Sequence, residues 1–305
     1  MALVLDPPVA DEVNGLRRAL GDPSLARIPP HVTLVPPVNV RRDDLPAALG
    51  RLRSAAAAVP GPLRLTFGSI RSFLPANPVL YLAVGGDLEG LRRLRDSVFA
   101  PPFDRPLSWP WVPHLTVADG IGEERIEAGL AALAGYAVIA DLDRVVALEE
   151  GPGRVWAPLA DAALGRPARV GTGGLAVELT TGRLLDPELV DAAGCDGTAV
   201  CGRDLSFAVT AHREGQPVAA AAAWLDRAGP HVAVWVRPEH RGQGLGSHVL
   251  VHLEAAALRA GWRYPTLHAE GPAGFYRAVS RWSGEGWEEA GGERAAGGAL
   301  ECPAD

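Results

Sequence analysis

Short apolar runs and amphipathic stretches alternate along the first half of the chain. Runs of strand length alternate with segments in which apolar positions recur every three or four residues, as on one face of a helix. The predicted strands lie at 2–7, 31–35, 63–70, 79–85, 113–120, 138–150 and 154–160, and the predicted helices at 11–20, 44–58, 87–99 and 123–136. This order of elements runs through once and then restarts, which predicts two similar lobes related by a pseudo-twofold axis, with a cleft between them.

The second half follows a stretch at residues 163–174 that is rich in glycine, proline and alanine and has no periodicity. Its predicted elements are a strand at 175–185, a strand pair that turns near Glu214 and Gly215, a strand at 231–236 and a helix at 247–261. We therefore expect an α+β protein of two domains, at 1–165 and 174–305, joined by a linker at 166–173.

Composition and charge exclude several classes of protein. The 305 residues suffice for two ordinary domains, and the formal net charge is −7. Acidic residues outnumber arginines in each half and lysine is absent, so neither half predicts a surface for duplex DNA. No run approaches the roughly 20 apolar residues that span a bilayer, and the start lacks a basic segment, so we expect a cytoplasmic protein without membrane contact. The 3 cysteines predict neither a disulfide framework nor a zinc site.

One tetrapeptide occurs twice: His31-Val-Thr33-Leu returns as His114-Leu-Thr116-Val. On a strand, side chains at i and i+2 share a face, so each histidine lies beside its threonine. Two imidazoles can accept and donate protons while threonine hydroxyls bind phosphoryl oxygens. These groups suffice for acid–base cleavage of a phosphodiester without a metal. A single histidine of this kind is more often a half-buried strand residue bonded to a neighbour. The duplication favours a shared site.

On these motifs the first half resembles the 2H phosphoesterase superfamily, the group of bacterial and archaeal 2′-5′ RNA ligases and cyclic nucleotide phosphodiesterases. That group is defined by two H-x-[ST]-x motifs on equivalent strands, and the resemblance covers about residues 1–160 in motif order, spacing and the proline context of "PPHVTL". It implies a bilobal pseudo-twofold fold that hydrolyses a 2′,3′-cyclic phosphate, or cleaves and joins 2′-5′ linkages, at RNA ends or in nucleotides.

By the same match, His31 and His114 would serve as general base and general acid, in an order that the sequence leaves open. Thr33 and Thr116 would bind phosphate. Three aromatic residues near the predicted cleft could stack on a nucleobase, although such residues more often belong to a core; they are Phe73, Trp109 and Trp111.

A glycine-rich turn follows the strand at 231–236, in the sequence "RPEHRGQGLGSHVL". Backbone N–H groups converge where such a turn opens a helix, which suits a pyrophosphate. The turn matches the [QR]-x-x-G-x-[GA] signature of the GNAT acetyltransferases, and the later "GFYRAV" resembles that family's "FY" helix. The resemblance spans about residues 174–300.

The GNAT resemblance implies a central mixed sheet, acetyl-CoA as cofactor, and N-acetyl transfer to the amine of a small molecule or a peptide. By match, Tyr276 would protonate the departing thiolate. The matched cofactor-binding positions are Val234, Val236, Arg241, Gly242, Gln243, Gly244, Leu245 and Gly246. This sequence departs from the family in lacking a carboxylate on the strand at 231–236 and the common asparagine before Gly274.

Two further questions stay open at the level of sequence. His248 and His252 lie one helical turn apart and could chelate a metal, but no third ligand is evident, so we expect no metal site. The leading hypothesis is a bifunctional enzyme. The alternatives are an acetyltransferase whose first half only binds RNA ends, and a phosphoesterase whose second half only senses acetyl-CoA.

Overall fold

The computed structural model describes residues 1–170, 174–183, 185, 205–227, 229–262, 266–270 and 286–289. The chain divides into two compact units, Met1–Arg166 and Pro167–Asp305, each with its own hydrophobic core. In the part of the chain that the structure describes, no helix is both long and apolar enough to cross a membrane.

The first unit contains eight strands and four helices, in nearly the predicted order. The strands are β1 (Ala2–Val4), β2 (His31–Thr33), β3 (Leu63–Ser72), β4 (Val79–Gly86), β5 (His114–Asp119), β6 (Ala137–Leu142), β7 (Arg144–Glu150) and β8 (Trp156–Ala163). The helices are α1 (Val9–Leu20), α2 (Leu45–Ala57), α3 (Leu88–Val98) and α4 (Glu123–Ala132). The prediction of one strand at 138–150 is wrong, because residue 143 belongs to no strand and separates β6, which pairs with β3, from β7, which pairs with β1 and β8.

All eight strands of this unit form one antiparallel array in the order β8-β7-β1-β2-β5-β4-β3-β6. β2 and β5 lie at the centre, and the strands on either side correspond in pairs: β1 to β4, β7 to β3, and β8 to β6. This arrangement confirms the predicted α+β class and the pseudo-twofold pair of lobes, with the two motif strands meeting at the axis.

Strict alternation of side chains builds the core behind the sheet. In β3, for example, Leu63, Leu65 and Phe67 are all at most 1% exposed, while the residues between them are exposed or half-buried. The helices cover this apolar face: α1 packs on β5 and β6, α2 on β7 and β8, and α4 on β3 and β4. Each such buried leucine or phenylalanine contributes roughly 1.5–3 kcal/mol of transfer free energy, so the core fixes the positions of β2 and β5.

The second unit contains a mixed sheet in the order β10-β11-β12-β13-β14-β15, with a short strand β9 paired to β10. The elements of this unit that lie within the described residues are β9 (Ala168–Val170), β10 (Leu175–Gly182), β11 (Phe207–Arg213), β12 (Gln216–Asp226), β13 (Gly229–Val236), β14 (Thr266–Glu270), β15 (Gly286–Glu289) and helix α5 (Leu245–Arg259). Strands β10 to β13 are antiparallel, whereas β13, β14 and β15 run parallel. The predicted mixed sheet is confirmed.

Two local features of this unit bear on the sequence predictions. The turn between β11 and β12 falls at Glu214 and Gly215, whose φ angles are 52° and 82°, as the predicted strand pair requires. Within the predicted linker at 166–173, however, Ala168–Val170 form β9 and pair antiparallel with the first residues of β10. This part of the linker is therefore a strand.

We predict that cutting the chain near Gly165 yields two pieces that fold independently. Each unit has its own strands, helices and apolar core, which is what independent folding requires. Separate expression of the two pieces should give soluble fragments that each unfold cooperatively on heating. An insoluble or molten fragment, from a full-length chain that is well folded, would contradict the division.

Candidate active site

The two motif strands, β2 and β5, are neighbours in the sheet. Val32 lies opposite Leu115 in this antiparallel pair, and both side chains are fully buried at 0% exposure. Because successive side chains of a strand point to opposite faces, the histidine and threonine of each motif all lie on the other face of the sheet.

The register of this pair determines which motif residues are neighbours. The two strands pair at Val32 and Leu115. Continuing this antiparallel register by one residue on each side places His31 across from Thr116, and Thr33 across from His114. Directly opposed Cβ atoms are about 4.5–5.5 Å apart in such a pair, and diagonal neighbours about 7–8 Å. The structure therefore brings the four predicted side chains together on one face, and their catalytic role stays a prediction.

Both motif histidines make the same hydrogen bond with the backbone two residues earlier. The Nδ1 atom of His31 lies 2.8 Å from the Pro29 carbonyl oxygen, and that of His114 lies 2.8 Å from the Val112 carbonyl oxygen. A carbonyl oxygen can only accept, so Nδ1 donates in both rings. When each ring is neutral, its Nε2 therefore carries the lone pair that a general base needs.

Burial lowers the pKa of both histidines. Burial is the largest cause for His31, and its pKa falls to about 4. The hydrogen bond to Pro29 raises this pKa by a smaller amount, and the positive charges of His114 and Arg17 lower it further. The pKa of His114 is also lowered, again mainly by burial. Burial therefore favours the neutral form of both rings in the absence of a bound anion.

Two aromatic side chains surround the ring of His114. Phe73 and Tyr81 stack on each other with ring centroids 4.2 Å apart, and both meet the His114 ring edge-on, at 5.1 and 5.4 Å. Tyr81 lies opposite Thr116 across β4 and β5, which places it on the same face as the motif. The sequence singled out Phe73 as a base-stacking candidate, but it did not indicate Tyr81, whose place depends on strand register.

The two tryptophans before His114 have different environments. The indole Nε1 of Trp111 donates to the backbone oxygen of Thr33 at 2.9 Å, and its ring packs against the core. Trp109 is 75% exposed. Of the three aromatic candidates from the sequence, Trp109 is thus the one whose ring is largely open to a ligand.

An open cleft of about 780 Å³ reaches the motif residues of β2. His31 and Thr33 line this cleft together with Arg41, Arg42 and Arg105, among mostly apolar side chains. Its volume lies in the range of about 300–1,000 Å³ that small-molecule sites occupy. The cleft can therefore hold a ligand considerably larger than one phosphate group.

In the second unit, the glycine-rich turn joins β13 to α5. Gly242 and Gly244 have φ angles of 68° and 75°, in the left-handed region that favours glycine. α5 begins at Leu245 directly after Gly244, with no side chain capping its first turn. The first N–H groups of a helix have no partner within it, so they are available to an anion at this position.

The comparisons with known proteins agree with this geometry. The model of the 2′-5′ RNA ligase superfamily matches residues 5–154, and the model of the acetyltransferase (GNAT) domain matches residues 204–279. The first unit is a 2′-5′ RNA ligase superfamily domain, and the second is a GNAT domain. Below, they are called the ligase-superfamily domain and the GNAT domain.

Curated relatives of the ligase-superfamily domain include bacterial proteins. Proteins named "Putative phosphoesterase" from Bacillus cereus strain B4264 and Bacillus anthracis strain A0248 are 33% and 32% identical over 115 residues, or 38% of this chain. The match spans 65% of the length of these curated relatives. The crystal structure of TT0787 of Thermus thermophilus is 19% identical and covers 54% of this chain and 96% of that one, with a TM-score of 0.37.

A GNAT domain implies acetyl-CoA as co-substrate, and the residues of the turn suit its pyrophosphate. The uncapped first turn of α5 supplies backbone donors, and the left-handed glycines keep side chains away from them. Val234 and Val236 are at most 8% exposed and belong to the core, so only their backbone could contact a cofactor. The guanidinium Nε of Arg241 donates to the carbonyl of Val236 at 3.3 Å, which ties the turn to the end of β13.

On β13, the strand that lacks a carboxylate, His231 contacts Asp226, the last residue of the neighbouring strand β12. The Nε2 of His231 lies 3.0 Å from the Oδ1 of Asp226, and its ring stacks on Trp224 with centroids 5.4 Å apart. The sequence did not indicate this pair. The predicted thiolate acid, Tyr276, and the "GFYRAV" segment lie outside the described residues.

The histidine pair of α5 does not extend into a larger cluster within the ranges that the structure describes. The rings of His248 and His252 contact each other with centroids 4.7 Å apart. No group of three or more histidine, cysteine, aspartate or glutamate side chains suited to a metal occurs among the described residues.

Proposed function

We propose that the chain is a bifunctional enzyme. The ligase-superfamily domain opens 2′,3′-cyclic phosphates, or acts on 2′-5′ linkages, at RNA ends or in nucleotides, without a metal ion. The GNAT domain transfers the acetyl group of acetyl-CoA to the amine of a small molecule or a peptide. The main support for the first activity is that the two motif histidines lie on one face of the sheet, each with Nδ1 bonded to a carbonyl and Nε2 free.

This arrangement supplies each proton transfer that hydrolysis of a cyclic phosphate requires. The Nε2 of one histidine takes a proton from water as the water oxygen bonds to phosphorus. The Nε2–H of the other gives a proton to the ribose oxygen as its bond to phosphorus breaks, which leaves a nucleoside monophosphate. The hydroxyls of Thr33 and Thr116, each beside a histidine, donate to the non-bridging phosphoryl oxygens and hold the phosphate between the rings.

A bound phosphate also changes the pKa values of the two motif histidines. Burial favours the neutral form of both free rings, but an anion beside them stabilises the imidazolium form and raises the pKa of both rings. The substrate itself therefore promotes protonation of the histidine that serves as general acid.

We expect hydrolysis of nucleoside 2′,3′-cyclic phosphates with an acidic optimum for kcat/KM. This parameter reports the free enzyme, and the competent form carries one proton on the histidine pair. The pKa of His31 is lowered to about 4, and burial also lowers the pKa of His114 below its ordinary value, so kcat/KM should peak on the acidic side of neutrality. The optimum of kcat should lie at higher pH, because bound phosphate raises both pKa values.

Initial rates of nucleoside monophosphate formation, with and without a chelator, test this proposal. The chelator should leave the rate unchanged. No turnover with any of the four 2′,3′-cyclic nucleotides or a short RNA with a cyclic phosphate end would favour the alternative in which this domain only binds RNA ends. Complete loss of activity with the chelator would overturn the metal-free scheme.

Acetyl transfer by the GNAT domain rests on the family and on the turn before α5. His231, held by Asp226, is the proton acceptor that we propose for the acceptor amine, in place of the carboxylate that β13 lacks. Tyr276 stays the candidate for protonating the thiolate of CoA. If acetyl-CoA binds but no amine promotes the release of free CoA, the domain is a sensor.

A further inference from the structure

Each motif strand is preceded by a helix that carries one buried arginine. α1 precedes β2 and carries Arg17, which is 2% exposed, and α3 precedes β5 and carries Arg95, which is 5% exposed. Burying a guanidinium costs free energy unless specific contacts compensate. A buried arginine at the corresponding place in each lobe therefore points to a purpose that the lobes share.

Arg17 fixes the segment that leads from α1 to β2. Its Nε pairs with the carboxylate of Asp22 at 2.8 Å, and its Nη1 donates to the carbonyl of Ile28 at 2.9 Å. The hydroxyl of Ser24 joins the network, accepting from Nη2 of Arg17 at 3.3 Å and donating to Asp22 at 2.8 Å. One guanidinium thus holds both the start and the end of residues 22–28.

This network ends next to the hydrogen-bond partner of His31. Ile28, held by Arg17, is followed directly by Pro29, whose carbonyl receives the Nδ1 proton of His31 at 2.8 Å. The next residue is also fixed, because the carbonyl of Pro30 accepts from the backbone N–H of Leu5 at 3.0 Å. The Pro29 carbonyl is therefore positioned from both sides.

Arg95 reaches the equivalent segment of the second lobe through aromatic rings. Its guanidinium carbon lies 3.6 Å from the ring centroid of Phe99 and 5.6 Å from that of Trp111. Trp111 precedes Val112, whose carbonyl receives the Nδ1 proton of His114 at 2.8 Å. The indole N–H of Trp111 also bonds to the backbone of β2, so Arg95 packs on the residue that anchors this segment.

We propose that Arg17 and Arg95 are positioning residues, each of which fixes the carbonyl that accepts the Nδ1 proton of the motif histidine in its own lobe. The fixed carbonyl keeps the proton of the neutral ring on Nδ1. The Nε2 of each histidine therefore stays free for proton transfer. The catalytic consequence rests on the proposed phosphodiesterase activity, whereas the consequence for the histidine tautomer does not.

Charge-preserving variants separate positioning from charge. Arg17→Lys and Arg95→Lys keep the positive charge but lose the guanidinium fork and the planar stacking surface. Arg18→Lys and Arg92→Lys are matched controls, because these arginines are exposed on the same two helices. Circular dichroism and thermal unfolding of the full chain establish which variants are folded.

The readout is the tautomer of each histidine, measured by NMR with ¹⁵N-labelled histidine at pH 8. In the wild type, both motif rings should carry the proton on Nδ1. In Arg17→Lys, His31 should shift towards the Nε2–H form while His114 does not, and Arg95→Lys should do the reverse. With a 2′,3′-cyclic nucleotide, kcat should fall about ten- to hundredfold with little change in KM, since small misplacements of a catalytic group cost this much. Both controls should behave as the wild type.

A folded Arg17→Lys or Arg95→Lys variant with unchanged histidine tautomers and unchanged kcat would overturn the proposal. Where a lysine variant does not fold, Ser24→Ala in the first lobe and Phe99→Leu in the second remove one contact of the same network and should shift the same tautomer by less. If the tautomers shift as expected but the wild type opens no cyclic phosphate, the proposed function fails and the positioning role stands. If the wild type is active and no tautomer shifts, the positioning role fails alone.

Discussion

Replacing either His31 or His114 by alanine is expected to lower kcat/KM for a 2′,3′-cyclic nucleotide by several hundredfold or more. A positioned general acid or base contributes about 10²- to 10⁴-fold to a rate, and each histidine fills one of these roles with its free Nε2. The double variant should lose little beyond the worse single variant, because two groups that act in one step are not additive.

The histidine variants need a control for general effects of the substitution. His252→Ala serves this purpose, because His252 lies on α5 of the GNAT domain and should leave the phosphodiesterase rate unchanged. Circular dichroism of each variant shows whether the sheet is retained. Full activity in a folded His31→Ala or His114→Ala protein would remove that histidine from the mechanism.

Gly244→Glu is expected to abolish binding of acetyl-CoA, with an affinity loss of about a hundredfold or more. Gly244 has a φ of 75° directly before the uncapped first turn of α5, so a side chain there is strained and adds bulk beside the backbone donors. The glutamate carboxylate would also repel the pyrophosphate. In addition, it would compete with the pyrophosphate for the helix N-terminus, where a negative charge is stabilised by about 0.3–1 kcal/mol. Isothermal titration calorimetry with acetyl-CoA measures the effect.

A second left-handed glycine provides the matched control. Gly261, after the other end of α5, has a φ of 84° with nothing near its missing Cβ, so Gly261→Glu introduces the same strain and charge away from the turn. It should leave the affinity for acetyl-CoA nearly unchanged. Equal affinities of the two variants would show that the turn does not bind the pyrophosphate.

A panel of small amines, aminoglycosides and N-terminal peptides then separates transfer from sensing, with release of free CoA as the readout. Tyr276→Phe and His231→Gln address the two proposed proton transfers in the GNAT domain. Unchanged turnover in either variant would remove that residue from the mechanism. Tight binding of acetyl-CoA without amine-dependent release would favour the sensor.

The elements of the fold followed closely from periodicity, and the exceptions have local causes. The helix predicted at 247–261 begins at Leu245, since the left-handed Gly244 ends the turn and the helix starts at once. The break between β6 and β7 was not predictable, because residue 143 is an aspartate in an apolar pattern without glycine or proline. β9 has three residues and exists through its pairing with β10, which no local pattern encodes.

Some features of the candidate site also follow from the local sequence, whereas others depend on contacts between residues that are far apart in the chain. That each motif histidine shares a face with its threonine follows from strand alternation alone. That His31 lies opposite Thr116 depends on the register between two strands that are far apart in the sequence. Tyr81 and the buried contacts of Arg17 and Arg95 depend on that tertiary arrangement, so the sequence did not indicate them.

The pH profile of kcat/KM for the wild type and for the two histidine variants tests the central claim, that His31 and His114 act as one acid–base pair. The wild type should give a bell-shaped profile. Each alanine variant should keep a slow residual rate with a single limb, and the two variants should lose opposite limbs, which also identifies the base and the acid. A bell-shaped profile that persists in both variants would contradict the account.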